Sequence, residues 1–440
     1  MKNKFTLFRP IPKGDKKIIR AWVLYDWANS VYQLTISSTI FPIYYYAVTK
    51  SSGSTVDFFG FKIVNSVLYS WAIAASYLMV AIFSPLFSSI ADYTGLRKRF
   101  MTIFTYIGSV SCGLLFFFNK NNIEFGILAF IFATIGYGGS LVFYNSFLPV
   151  IAELQDQDRV SARGYSIGYL GGVVLFIINL AFILYPHFFG ITNPSLPARL
   201  SFLSVFVWWI GFSQITFYKL PKFTFGNRIK GTNVILKGYN ELQLVYKQVM
   251  KMNHLKLYLA SFFFFTMGLL TIMFMAATYG SKELGIKDDA LILTILIIQF
   301  VGILGAWLFA RISERFGNIR SLILSITLWI LICIGAYFIK GLTGFIIAAF
   351  WIGLLMGGTQ SIARSTYSKM LPETRDHTSF FSFFDVMEKL ATVGGTFSFG
   401  IIESITGSMR YSVLAIALFF IIGLIFMTRL FYKYRNLIPQ

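Results

Sequence analysis

The stretch Ala91-Asp92-Tyr93-Thr94-Gly95-Leu96-Arg97-Lys98-Arg99 is a tight charged turn wedged between two long apolar runs. Half a chain later the layout returns as Ser313-Glu314-Arg315-Phe316-Gly317-Asn318-Ile319-Arg320, with acid on acid, glycine on glycine and base on base. The interval from Asp92 to Glu314 is the same as that from Gly95 to Gly317, and it is close to half of the 440 residues. That spacing predicts two similar halves in tandem.

The runs around the turns set the class of the molecule. Hydrophobic residues make up 56% of the chain and charged residues 13%, with a mean hydropathy of +0.68. A soluble domain carries charge on roughly a quarter of its residues. Runs of about 18 or more apolar residues recur, each long enough to cross a hydrocarbon core of roughly 30 Å as a helix. They are continuously apolar and not alternating, which excludes an outer-membrane barrel. The expected fold is an all-α membrane bundle of twelve transmembrane helices, in two six-helix halves related by a pseudo-twofold axis.

The expected spans run over 21–48, 64–91, 100–118, 123–150, 164–186 and 199–219, then 255–279, 290–312, 321–339, 343–370, 380–405 and 411–431. They divide the chain into a basic tail (1–20), an N-terminal half (21–220), a basic connector (221–253), a C-terminal half (254–432) and a short tail (433–440). In the connector, Leu236, Tyr239, Leu242, Tyr246 and Val249 recur at helical spacing while Lys237, Lys247 and Lys251 supply charge. That reads as an amphipathic helix at the membrane surface, against the plainer alternative of a solvated linker.

The net charge of +20 would suggest nucleic acid were it spread evenly, but most Lys and Arg fall on the tails, the connector and the same-side turns. The positive-inside rule then places both termini in the cytoplasm, with anionic lipids and not a nucleic acid as the partner of the basic face. The tail and first span read as an anchor and not a removed signal peptide. Cys112 and Cys333, in mid-span and separated by almost the same half-chain interval, read as small apolar fillers.

Charge inside the spans is the most informative feature: Asp26 in span one, Arg364 in span ten, and Asp385, Glu388 and Lys389 in span eleven. An ionised group at the bilayer centre costs on the order of 2.5–3.5 kcal/mol on insertion scales, so such groups should face a cavity or one another. Asp26, Asn29, Gln33 and Ser37 share a helix face and form a polar stripe, either the wall of a solute path or hydrogen-bonded packing. Asp385 and Lys389 are four apart, acid first, the favourable order for an ion pair, with Glu388 close by. Three acids face two bases, so one acid is left to take a proton or a cation. Glu388 or Asp26 is the expected titrating acid, and Arg364 is expected to attract an anionic group such as a carboxylate. The alternative is a structural network of all five. Gly164, Gly168 and Gly172 form a small-residue stripe suited to close helix packing, either as a sliding contact between the halves or as static packing within one.

Motifs of soluble enzymes are missing in usable form. Gly226 to Thr232 has the glycine spacing of a phosphate loop without its Gly-Lys-Ser/Thr ending. His187, His254 and His377 are scattered near span ends without metal-ligand spacing, so no metal or cofactor is expected.

The paired acid-x-x-Gly turns with clustered bases resemble the signature loop of the major facilitator superfamily. Further stretches narrow the resemblance: Ala21-Trp22-Val23-Leu24-Tyr25-Asp26-Trp27-Ala28-Asn29-Ser30, Asn145-Ser146-Phe147-Leu148-Pro149, Gly164-Tyr165-Ser166-Ile167-Gly168, Gly357-Gly358-Thr359-Gln360-Ser361-Ile362-Ala363-Arg364-Ser365 and Phe384-Asp385-Val386-Met387-Glu388-Lys389. Together they look like the family of the autophagy-related vacuolar amino-acid effluxer and its bacterial relatives. Met267 stands where that family commonly has an acid.

The resemblance implies a non-enzymatic secondary transporter of a small solute, with amino acids or related metabolites favoured and a proton or other cation as coupling ion. Spans one, four, seven and ten would line its cavity, adding Asn145 and Gln360 to the path. A monomer in the bacterial inner membrane is expected. The competing class is a non-transporting sensor or assembly factor on the same scaffold. By the same resemblance Asp92, Gly95, Arg97 and Arg99, with Glu314, Gly317 and Arg320, would form conformational latches, Asp92 accepting from Arg97 or Arg99 and approaching Thr378 and Ser379.

Overall fold

A computed structural model describes residues 13–50, 55–221 and 234–434. Much of the two tails, and the Gly226 to Thr232 stretch, lie outside the described residues. Among the described residues, ten helices are long and apolar enough to cross a membrane by length and composition. Their bounds are Asn65–Thr94 (span two), Arg97–Leu114 (three), Ile123–Asn145 (four), Gln157–Leu184 (five), Leu196–Lys219 (six), Asn253–Lys282 (seven), Asp288–Phe316 (eight), Asn318–Phe338 (nine), Gly341–Met370 (ten) and Met409–Tyr434 (twelve). The remaining two carry the polar load. Span eleven, His377–Thr406, holds Asp385, Glu388 and Lys389. Span one is Lys16–Val31, a π-helical segment Tyr32–Thr39 and Ile40–Lys50.

The helix contacts display the duplication. In the N-terminal half, span one packs on five and six, four on two and three, and three on six. Six spans on, seven packs on eleven and twelve, ten on eight and nine, and nine on twelve. Between the halves, span two meets eleven and span eight meets five, a pair that exchanges under the same shift. The pseudo-twofold predicted from the two turns is therefore present in the helix packing. Cys112 and Cys333 occupy corresponding buried places in spans three and nine.

Both turns need their glycine. Gly95 caps span two at φ 70 and Gly317 joins spans eight and nine at φ 85, in the left-handed region that other residues enter at a cost. At the other end of the bundle the strands β1 (Thr55–Phe58) and β2 (Phe61–Val64) form an antiparallel hairpin. We call the two faces of the bundle the connector end and the hairpin end.

Several helices outrun the apolar stretches that predicted them. Span five starts at Gln157 and not 164, because its first turns carry polar residues such as Asp158 and Ser161 that are buried against the C-terminal half and so lie outside the apolar run. The connector forms a helix over Val234–Lys251, and its apolar residues divide between two sides. Val245 and Val249 are buried in the C-terminal core and Gly238 lies on Ile90 of span two, whereas Leu236, Tyr239 and Tyr246 are exposed. The Ser89 hydroxyl donates to the Gly238 carbonyl, and Tyr246 lies 6.3 Å from Phe383 between ring centroids. The connector helix is thus strapped across the seam between spans two and eleven.

Candidate functional site

A cavity of about 150 Å³ lies between the halves, with room for a small solute and not for a lipid or peptide. Spans one, four, seven and ten contribute Asp26, Asn29, Gln33, Tyr137, Asn145, Phe262, Thr266, Gln360 and Arg364 to its wall. Spans two, five, eight and eleven add Tyr77, Tyr165, Tyr169, Gln299, Glu388 and Lys389, none of the lining coming from three, six, nine or twelve. Of the predicted stripe on span one, Asp26, Asn29 and Gln33 reach the cavity and Ser37 does not. The π-helical turn from Tyr32 accounts for the loss: extra residues per turn rotate Ser37 off the face that an unbroken α-helix would have given it.

Asp26 and Arg364 meet across the halves. The Tyr144 hydroxyl donates to Asp26 Oδ2 at 2.7 Å, and Arg364 Nη1 and Nη2 each donate to it at 3.3 Å. Arg364 Nε donates to Ser161 Oγ at 3.0 Å, Nη1 to Asn145 Oδ1 at 3.4 Å and Nη2 to the Ser161 carbonyl at 2.9 Å. A guanidinium has five N–H groups, and these bonds engage all of them. Trp22 and Tyr165 cover its faces at 4.9 and 4.2 Å from their ring centroids. In this conformation a solute carboxylate reaches Arg364 only after some of these bonds give way.

The other three membrane charges form a separate cluster. Lys389 Nζ lies 3.1 Å from Asp385 Oδ1 and 2.8 Å from Glu388 Oε1, and 5.8 Å from the Tyr77 ring centroid. The five charges are therefore not one network. Asp26 and Arg364 cancel, and Lys389 answers two carboxylates, which leaves the excess acid on span eleven. The Asp385 side chain is 7% exposed and does not line the cavity, whereas Glu388 is 33% exposed and does. Asn29 Nδ2, also on the wall, is buried without a hydrogen-bond partner.

The glycines of span five pack against span one, and Gly164 also lies beside Arg364 of the other half. A Cβ on Gly164 would lie 2.4 Å from Asp26 Oδ2 and 2.8 Å from Arg364 Nη2, and one on Gly168 would lie 2.5 Å from Ser30 Oγ. Gly172 lies beside Leu34. The stripe lets span one come close enough for Asp26 to reach its partners. Span five also meets the other half through Ala162 with Ala306 and Ala310, and through the Ser166 hydroxyl donating to the Ile303 carbonyl.

Below the cavity, at the connector end, the halves are tied along two seams. In the first, Asp92 Oδ1 accepts from Arg97 at 2.9 Å, and Oδ2 accepts from the Ser379 backbone N–H at 2.7 Å and its hydroxyl at 2.8 Å. Ser379 stands in the first turn of span eleven, where exposed N–H groups and the helix dipole favour an anion. Arg97 also donates to the carbonyls of Ser146 and Arg375. Arg99 is exposed, so of the two candidate bases it is Arg97 that meets Asp92.

The second seam departs from expectation. Among the described residues Glu314 pairs with exposed Arg159, at 3.0 Å, and Arg320 is exposed beside Phe431. The buried anion is Asp158 of span five. Its Oδ2 accepts from Lys369 Nζ at 2.6 Å and the Ser313 hydroxyl at 2.8 Å, and Oδ1 accepts from Asn318 Nδ2 at 2.7 Å. The half-chain interval that relates the two turns also relates Gln157 to Ser379, so span five presents its acid near the place where span eleven presents a donor. The polarity of the contact is reversed. An acid at the head of a span is a legible signal for a helix start, but starting span five at its apolar residues left Asp158 in a loop.

Around the first seam two more acids gather outside the membrane. Burial raises Asp376 above the ordinary carboxylate range, with the Asp92 charge adding to it. Burial likewise raises Glu241 of the connector helix, helped by Asp376 and Asp92.

Over residues 14–434 the sequence matches the family described as vacuole effluxer Atg22 like. The chain belongs to that family. Among its relatives, the Bacillus subtilis protein named "Uncharacterized MFS-type transporter YxiO" is 30% identical over 92% of each chain. Autophagy-related protein 22 of Yarrowia lipolytica is 24% identical over 81% of this chain and 74% of its own. The solved structure of FucP in the outward conformation superposes with a TM-score of 0.69 at 12% identity, covering 94% of this chain and 97% of that one. The proton:xylose symporter XylE, bound to 6-bromo-6-deoxy-D-glucose, gives 0.70 at 12% identity, over 94% and 95%. The fold is that of the major facilitator superfamily, and the relative from Bacillus subtilis is named as a transporter of that superfamily. In this Atg22-like chain the Tyr25-Asp26-Trp27 run places the cavity's acid, Asn145 closes span four beside it, and the stretch around Gln360 supplies Arg364.

Proposed function

We propose that the protein is a secondary active transporter that moves a small solute by alternating access, with amino acids or related metabolites favoured and a proton as coupling ion. The observation that carries this reading is the single cavity wall drawn from both halves, with an acid open to it and the polar ties between halves gathered beneath it. Those ties close the connector end, so the site communicates with the hairpin end. On the charge placement, the connector end is cytoplasmic in a bacterial inner membrane and meets anionic lipids there. The protein works as a monomer, since both faces of the path come from one chain.

We assign the coupling proton or cation to Glu388 in this scheme, because it is the cavity-facing member of the cluster with excess acid. An ammonium or a proton at Glu388 would neutralise that excess. Asn29 Nδ2 and Gln33 offer uncharged donors for a carboxylate, and Arg364 becomes a further one as its bonds loosen. The test is counterflow in proteoliposomes loaded with amino-acid pools, after thermal-shift screening of the purified protein to select candidates. Exchange of a stabilising solute, driven by an imposed pH gradient and uncoupled from it by Glu388→Gln, is the expected result. Stabilisation by a solute without exchange would point instead to a sensor on the same scaffold.

A further inference from the structure

We infer that Asp158 and Lys369 form a charge latch that holds the connector end shut, and that it differs in kind from the Asp92 latch across the pseudo-twofold. Asp92 and Arg97 belong to the same half, so when the first seam opens they leave together as a neutral pair. What crosses that seam at Asp92 is the backbone and hydroxyl of Ser379, both uncharged donors. Asp158 and Lys369 belong to opposite halves and are 2.6 Å apart, with side-chain exposures of 2% and 8%. Opening the second seam strands each as a lone charge, and separating a buried pair carries far more electrostatic work than breaking hydrogen bonds to a paired carboxylate.

The surroundings are built for the ion pair. Lys369 Nζ also donates to Asn318 Oδ1 at 3.0 Å, while Asn318 Nδ2 donates to Asp158 and to Thr366 Oγ1 at 3.1 Å. Asn318 and Ser313 flank Gly317, so the second turn serves as the cradle of the pair and not as its acid. Arg159 and Glu314, the other cross-half ion pair of this seam, are exposed at 71% and 36% and contribute little. Lys369 follows Arg364 on span ten little more than one helical turn later, and each binds an acid of the opposite half. The connector-side part of span ten therefore carries two cations that hold the N-terminal half, one on the cavity wall and one at the gate. Asp158 and Lys369 are positioning residues: they touch no solute and act on which side of the cavity is open.

This inference rests on the alternating-access reading, but its test needs no solute. Spin-label pairs at Gln155 and Arg315 report the second seam, and pairs at Arg99 and Glu373 the first, in full-length protein reconstituted in nanodiscs. Asp158→Asn and Lys369→Met should each raise the separated population at the second seam several-fold. The charge swap Asp158→Lys with Lys369→Asp should return it toward the unmodified protein, and Lys369→Arg should leave it unchanged. Single variants with unmodified distances would overturn the latch. So would a folded, monodisperse swap no closer to the original than either single change. A failure to find any transported solute leaves these distances standing, so the two readings fail separately.

Discussion

Arg364 concentrates the account at the scale of one residue. It spends five donors on Asp26, Asn145 and Ser161, all in the opposite half, and is sandwiched by aromatic rings. Removing one partner of a buried, hydrogen-bonded ion pair costs about 3–5 kcal/mol because the other charge is left unanswered. Arg364→Met and Asp26→Asn should therefore each lower the thermal unfolding midpoint sharply, since each strands the other's charge in the bundle. Midpoints left unchanged by both would show that the pair is not the inter-half tie described. Gly164→Ala is a second expectation at this scale, since its methyl would land 2.4 Å from Asp26 Oδ2. Overpacking of this kind costs about 1–3 kcal/mol, again read from the midpoint. The charged residues themselves were legible, because a carboxylate in an apolar run has few places to go. Their pairing was not. Asp26 and Arg364 lie in opposite halves of the chain, and no helical periodicity relates them.

At the scale of elements, the turn glycines and the connector are the parts that move or resist. Gly95 sits at φ 70, so Gly95→Ala should cost about 1–2 kcal/mol and shift the midpoint down without altering the cavity. The connector helix carries a pH dependence whose sign follows from Glu241 and Asp376. Both are raised by burial in the docked state, among Asp92, Arg97, Arg375 and Thr374. A carboxyl whose docked pKa exceeds its free value favours docking in its protonated form. Its contribution is complete below the ordinary carboxylate pKa and is lost as pH rises through the raised value. A spin label at Gln243 should accordingly become less mobile as pH falls toward the ordinary carboxylate range, and Glu241→Gln with Asp376→Asn should flatten the change. Mobility that rises on acidification would contradict it. The helix was legible as an element, but the docking of Val245 and Val249 on the C-terminal core was not, because an apolar residue in an amphipathic run does not announce whether protein or lipid covers it. The π-helical turn in span one left no trace in composition, and it is what separates Ser37 from the polar face.

For the whole molecule, the pseudo-twofold was readable from two turn glycines half a chain apart, since a duplicated turn fixes the register of everything around it. What duplication hides is divergence between the copies. The second turn kept its glycine and its acid, but the buried anion at that seam is Asp158 of the facing span, and Glu314 was left at the surface. The two seams are therefore alike in shape and unlike in charge, since only at the second does a buried carboxylate take its direct ion-pair partner from the opposite half. Spans three, six, nine and twelve carry no cavity residue and frame the halves from outside, leaving the rest to line the path.

The central claim is that the halves rock about the cavity so that one end closes as the other opens. Distances measured in the same preparation between labels at Arg99 and Glu373 on the connector end, and at Lys120 and Lys340 on the hairpin end, test it most directly. When Asp26→Asn weakens the inter-half tie, the connector-end distance should lengthen and the hairpin-end distance shorten together. Both ends moving in the same direction, or neither moving while Asp26→Asn remains folded, would contradict the account.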